Sequence, residues 1–306
     1  MTSYLARRIV QMVPVLFGVV TIIFVLLRVS GDPVQLYLPE DASVEQVEEL
    51  RRALGLDRPL PVQYALFLAD LARGDFGESL RYRNQNVLTI VLERLPATLE
   101  LASAALLVAV LISLPLGIVA ALNRNRLPDA VASAVAMLGR AMPNFWLGIM
   151  LILAFAVHLR WLPVSGRDGF ANLVLPALTL GTSIAALLMR LMRSGMLEVM
   201  SQDYVRTAKA KGLPWRHVVV KHGLRNALIG YVTVLGLEIA GLMAGAVVTE
   251  QVFAWPGIGR LAIQAINSRD MAIVQAVVIL AALVVMTANL LVDLGYALID
   301  PRIRYG

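Results

Sequence analysis

The chain has 306 residues, of which 58% are hydrophobic and only 16% charged, with a mean hydropathy of +0.74. This is more apolar surface than a water-soluble core buries, so a bilayer is the expected solvent. The absence of cysteine excludes disulfides, thiolate metal sites and cysteine nucleophiles, and the placement of the net charge of +6 argues for membrane topology and against nucleic-acid binding.

The apolar residues lie in long blocks and not in the alternating strands of about ten residues that build an outer-membrane barrel, which predicts an all-α polytopic membrane protein. The first block, Ile9 to Leu27, follows Arg7 and Arg8. It is too long for a secretory signal core and no small-residue cleavage site follows it, so an uncleaved first span is expected. The stretch from Arg28 to Pro96 is too long for a simple connection and carries helix punctuation. Ser43 with Gln46 forms a capping box, and Gly55 stands at a C-cap. Pro61 then opens a second pattern over Val62 to Arg73, closed by Gly74, and a third, Asn86 to Leu95, leads into the second span. A small helical subdomain outside the membrane is predicted.

Further blocks run over Ala97 to Leu122, Ala130 to Val157, Leu173 to Leu191, Ala227 to Val248 and Met271 to Leu298, each long enough for a crossing of roughly 20 residues. Pro115, Pro143 and Pro176 lie inside them and are expected to kink the helices without ending them. Counting the first block, six spans put both termini on one side. Arg7 and Arg8, Arg124 and Arg126, and Arg302 and Arg304 mark that side as cytoplasmic. So does the connection from the fourth to the fifth span, where Arg190, Arg193, Arg206, Lys209, Lys211, Arg216, Lys221 and Arg225 face only Glu198 and Asp203.

Within that basic connection, Tyr204 to Lys211 is a good helix former, Gly212 ends it and Pro214 can begin another helix. The small residues Thr207, Ala208 and Ala210 permit close approach of a partner, and the flanking cations offer salt-sensitive contacts. By charge alone the segment is a basic loop obeying the positive-inside rule. Between the fifth and sixth spans, Phe253, Trp255, Pro256 and Gly257 open an outer segment that reads equally as an interfacial aromatic anchor.

Glu100, Arg140, Asn144, Glu238, Asn289 and Asp293 are costly in lipid and should face protein or water. Arg140, Asn144 and Glu238 are candidates for lining a solute path, with an internal ion pair between helices as the alternative. Gly241 and Gly245 make a small-residue motif of the kind used for helix packing. His158, His217 and His222 are separated or wrongly spaced for a metal pair on a helix. A phosphate-binding loop needs Gly-Lys followed by Ser or Thr, and the one glycine beside a lysine, Gly212, follows Lys211 in the wrong order.

The basic connection resembles the EAA motif of binding-protein-dependent ABC importer permeases, a Glu-Ala-Ala, three residues, a Gly, and later Ile-x-Leu-Pro. The matching positions are Arg206, Thr207, Ala208 and Gly212, then His222, Leu224 and Arg225, so glutamate, isoleucine and proline are replaced. The departures are similar to those of the dipeptide and oligopeptide branch, which includes glutathione and nickel permeases. Asp203 to Gly212, Lys221 to Leu228, Val252 to Leu261, Arg7 to Val19, Gly31 to Pro33 and Asp300 to Gly306 all match stretches of that branch. Gly230 departs from it, standing where many relatives have proline, which puts the entry to the fifth span in doubt.

The resemblance implies a type I ABC importer permease fold in three parts: residues 1–28, an N-terminal segment and first span; 29–96, an extracytoplasmic helical subdomain; and 97–306, the core permease domain with coupling loop 192–226. Docking of the solute-binding protein is the role expected of Arg28 to Pro96. It implies that Tyr204, Thr207, Ala208, Lys211, Gly212, Leu213 and Trp215 form a coupling helix seated on an ATPase subunit, and that Phe253, Trp255, Pro256 and Gly257 belong to an outer gate. The implied partners are a second, non-identical permease, two ATPase subunits carrying ATP and Mg, an extracytoplasmic solute-binding protein and membrane lipid, with no cofactor in this chain. The implied solutes are dipeptides or oligopeptides, with glutathione or nickel as alternatives. Rivals of another class are a secondary transporter, which needs no ATPase, and an intramembrane protease, which wants a GxSG serine and a histidine on facing helices.

Overall fold

A computed structural model describes residues 2–29, 34, 43–53, 55–79, 81–82 and 85–299. The matches at Gly31 to Pro33 and Asp300 to Gly306, Arg302 and Arg304, and the Asp293 side chain lie outside that description. Among the described residues the regular elements are helices. They form two compact units, one of Met1–Pro96 with Leu261–Met286 and one of Ala97–Arg260 with Thr287–Gly306.

In the first unit, α1 (Thr2–Val29) buries Val20 and Ile23 against Ile279 of α12 (Met271–Ile299), with Phe67, Leu68 and Leu71 of α3 (Leu60–Ala72) packed around them. Polar groups fix the register: Thr21 shares a 2.6 Å hydrogen bond with Tyr64, and Arg28 donates through Nε to Gln63 at 2.9 Å. The capping box opens α2 (Val44–Ala53), with the Gln46 amide donating to Ser43 and the Ser43 amide to Gln46. Asp270 is fully buried. Its side chain accepts the Ile273 amide, capping α12, and also the Ser79 hydroxyl at 2.6 Å and the Arg81 amide.

The expected third outer helix and second span are one helix, α4 (Val87–Leu122), of 36 residues. At 1.5 Å per residue it is about 54 Å long, well beyond a hydrocarbon core of about 30 Å. Pro96 and Pro115 lie within it without ending it, since each removes one ladder bond that neighbouring groups can replace.

The second unit is organised by α7 (Phe170–Met200). Its buried Leu180, Ile184, Leu188, Met192 and Met196 contact Leu101, Ala105 and Ala109 of α4 and Tyr231, Leu242 and Ala246 of α10 (Arg225–Val252). That apolar stripe continues past Leu191, the last residue of the predicted fourth span, and the helix continues to Met200. The Tyr231 and Ser113 hydroxyls meet at 2.6 Å inside this core. Arg193 grips Asp129 with two hydrogen bonds of 2.5 and 2.8 Å, tying α7 to the first turn of α5 (Leu127–Ala141).

One expected span is corrected. The block Ala130 to Val157 is not a single kinked helix, because α5 ends at Ala141 and α6 (Asn144–Leu151) restarts after Pro143, continuing as a π-helical stretch, Ile152–His158. The two limbs are bent by 106°. Proline removes an amide donor and disfavours helical geometry in the residue before it, and Met142 is extended at φ −79, ψ 127. Among the described residues five helices are long and apolar enough to cross a membrane, or six when the bent pair counts as one. Gly230 interrupts nothing: α10 passes through it, and the irregularity falls earlier, in a π-helical stretch over Val218–Leu224.

Replacing Asp270 with alanine should destabilise the protein by about 1–2 kcal/mol, read as a lower thermal midpoint in detergent, whereas Asp270→Asn, which can still cap, should lose clearly less. Equal losses in the two variants would contradict the capping role.

Candidate functional site

Three constructions in the second unit bear on function. The first is the basic connection, which forms a hairpin of α8 (Asp203–Ala210) and a short turn of helix, α9 (Trp215–His217), that runs through the π-helical stretch into α10. Gly212 adopts φ +74, a conformation that costs a side-chain-bearing residue roughly 1 kcal/mol, while its amide donates to Lys209 O and that of Leu213 to Ala208 O. Val205, Ala208 and Val218 are buried together against Met200, so the hairpin has its own small core.

That core sorts the predicted coupling residues. Tyr204, Thr207, Lys211, Gly212, Leu213 and Trp215 are exposed, with Trp215 at 53%. Ala208, at 5% exposure, braces this surface from beneath and is not part of it. The Lys209 ammonium lies 4.8 Å from the Trp215 ring, and the Tyr204 hydroxyl accepts from Asn226 at 3.0 Å. The π-helical stretch also brings the His217 and His222 rings to 6.0 Å, a proximity that α-helical spacing hides. Among the described residues no cluster of three or more His, Asp or Glu side chains is arranged to hold a metal.

The second construction is the turn after α10. Phe253 and Trp255 are essentially fully buried, which rules out the interfacial-anchor reading of their side chains. The Trp255 indole N–H donates to Ala97 O at 2.8 Å, and the Phe253 carbonyl accepts the Gly166 amide. At the centre is Glu250, fully buried, which the sequence reading did not single out. One of its carboxylate oxygens accepts the Thr98 hydroxyl at 2.6 Å, the other the Arg260 amide at 2.9 Å, and Thr98 in turn accepts the Ile258 amide. Glu250 and Thr98 thus satisfy the orphan amides in the first turn of α11 (Ile258–Asn267), where the helix dipole favours negative charge. Gly257 is required here by space, because a Cβ added to it overlaps the Glu250 carboxylate.

The third construction is a cavity of about 160 Å³ that brings together the three predicted path residues. Arg140 comes from the last turn of α5, Asn144 from the start of α6 and Glu238 from the middle of α10, with Ser183 of α7 beside them. Gly241 and Gly245 also line it, and a Cβ at Gly245 would approach Leu180 at 3.3 Å and Asn144 at 3.7 Å, so this glycine pair helps keep the space open. Among the described residues, Arg140 and Glu238 form no ion pair with each other, although a charge at a helix centre in lipid costs about 3 kcal/mol. The outlying Glu100 is paired instead, with Arg167 at 2.6 Å.

A helix broken beside a polar cavity is an arrangement that membrane transport proteins use at their solute sites. A family model described as "Binding-protein-dependent transport system inner membrane component" matches residues 113–305, and the corresponding N-terminal model matches residues 1–102. The chain belongs to this family: it is a multi-pass inner-membrane permease of an ABC importer and not a catalytic subunit. It is 43% identical to the di/tripeptide transport system permease protein DppB of Pseudomonas aeruginosa (strain UCBPP-PA14), across all of this chain and 99% of the relative. It is 40% identical to the glutathione transport system permease protein GsiC of Escherichia coli (strain K12), with both chains fully covered. An inward-facing structure of the MetNI methionine ABC transporter superposes with a TM-score of 0.59 at 20% identity, over 69% of this chain and 96% of that one, which supports the fold.

Gly257→Ala should lower the thermal midpoint by the equivalent of about 1–3 kcal/mol. Gly257→Ala should cost less in a Glu250→Ala background, where the overlapped space is vacant, than in the unmodified chain; equal costs in the two backgrounds would contradict the packing account. Gly212→Ala should cost about 1 kcal/mol through backbone strain alone, since the space around it is open.

Proposed function

We propose that this permease forms one half of the translocation pathway for short peptides. It pairs with a second, related permease, two ATPase subunits carrying ATP and Mg drive the complex, and an extracytoplasmic solute-binding protein supplies it. The solute class is supported by the full-length similarity to permeases named for di/tripeptides and for glutathione, since both are peptides with free amino and carboxylate groups. Nickel is a poorer match to the cavity, whose lining offers one carboxylate and no histidine.

The observation that carries the mechanism is the hairpin: exposed Leu213 and Trp215 rest on a buried base of Val205, Ala208 and Val218. Such a packed element moves as a body, so a push on its surface passes into α7 and α10. In this reading both termini and the hairpin face the cytoplasm, where the lysines and most of the arginines of the connection meet the ATPase. ATP binding closes the ATPases and opens the path toward the binding protein; hydrolysis resets it. The turn at Phe253 to Gly257, seated on Glu250, serves the outer gate as its rigid support. The exposed, charged α2 contributes to docking of the binding protein.

Proteoliposomes holding the complete transporter and its binding protein should accumulate a labelled dipeptide only with ATP, and liposomes holding this chain alone should not. Accumulation by the chain alone, without nucleotide, would overturn the reading in favour of a secondary transporter. Within the complex, Trp215→Ala should weaken ATPase association at least about tenfold, measured by retention on the tagged permease; undiminished retention would remove Trp215 from the contact.

A further inference from the structure

We infer that the cavity between α5, α6, α7 and α10 is a binding subsite for the charged ends of the peptide, with Glu238 taking the ammonium and Arg140, together with the N-terminus of α6, taking the carboxylate. This rests on the short-peptide reading above and adds to it a selective site in the permease itself.

Four observations converge on the assignment. Opposite charges on separate helices line one space, Arg140 exposed and Glu238 half-buried, and they do not neutralise each other by pairing. A dipolar solute completes both at once with charge-assisted hydrogen bonds. The helix break lies at this point, with Arg140 just before it and Asn144 just after. Arg140 stands in the last turn of α5, while α6 opens after Pro143 with no side-chain cap on its first amides. Free amides at a helix start favour an anion, so the arginine and the helix end point to the same partner.

The size of the cavity limits what enters. The space of about 160 Å³ is open on one side, so it takes the charged main chain of a small dipeptide or the end of a longer chain and not a folded oligopeptide. Gly241 and Gly245 leave room for the main chain of the solute, and Asn144 and Ser183 offer neutral donors and acceptors for its amide.

The test is equilibrium binding of Ala-Ala, N-acetyl-Ala-Ala and Ala-Ala-amide to the permease–ATPase complex in nanodiscs, with the binding protein left out so that its own selectivity does not enter. In the unmodified complex, blocking either terminus should weaken binding about tenfold. In Glu238→Gln the N-acetyl penalty should disappear while the amide penalty stays, and in Arg140→Gln the pattern should reverse. A merely structural role would lower all three affinities together. Equal penalties in the unmodified and substituted complexes, or no measurable binding of Ala-Ala, would overturn the subsite. ATP-dependent uptake by the complete transporter is measured separately and tests the importer reading on its own.

Discussion

An interruption of a helix inside a bilayer must be resolved within the protein, because a hydrocarbon core offers no water to an unpaired amide or carbonyl. Long continuous helices such as α4 and α7 meet this condition by themselves. The break at Pro143 and the turn at Phe253 to Gly257 are two places where polar side chains gather. At the turn the demand is met within the chain: Glu250 and Thr98 cap α11, and the Trp255 indole donates to the Ala97 carbonyl. At the break it is met only in part, and a polar cavity remains. The same constraint produces a sealed structural joint in one place and an open, charged space in the other.

The hairpin shows how an exposed surface is built on a small internal core. Val205, Ala208 and Val218 give it rigidity, and Gly212 lets the chain reverse tightly enough for α9 to return toward α10. The residues left on the outside include the aromatics Tyr204 and Trp215, the aliphatic Leu213 and several cations. That composition suits a contact with an apolar anchor and a charged rim.

Much of the fold was legible in the sequence, and the reasons differ by element. The Ser43–Gln46 box, the helix stop at Gly212 and the helix start near Pro61 follow from local backbone chemistry, and the structure forms each of them. The helix break at Pro143 was read as a kink because apolar composition is continuous across it. The fourth span was drawn only over the apolar block Leu173 to Leu191, and α7 continues beyond it to Met200 on the buried Met192 and Met196. Of the candidate path residues, Arg140, Asn144 and Glu238 were visible by their cost in lipid, and the structure brings them to one cavity. Glu250 was missed because it sits at a helix end beside polar residues, where a carboxylate raises no alarm. The signal available was the pair of glycines, Gly257 and Gly259, three residues or fewer from the start of a helix, which indicates a close approach by something else.

Ser183 at the cavity and Met200 at the root of the hairpin belong to one unbroken helix, 17 residues apart and so separated by about 26 Å along its axis. A rod of that length acts as a lever. A tilt of about five degrees at one end carries the other through about 2 Å, comparable to the helix shifts by which subunit interfaces switch state. In the proposed mechanism, motion of the hairpin therefore need only be small to change how α7 lines the cavity.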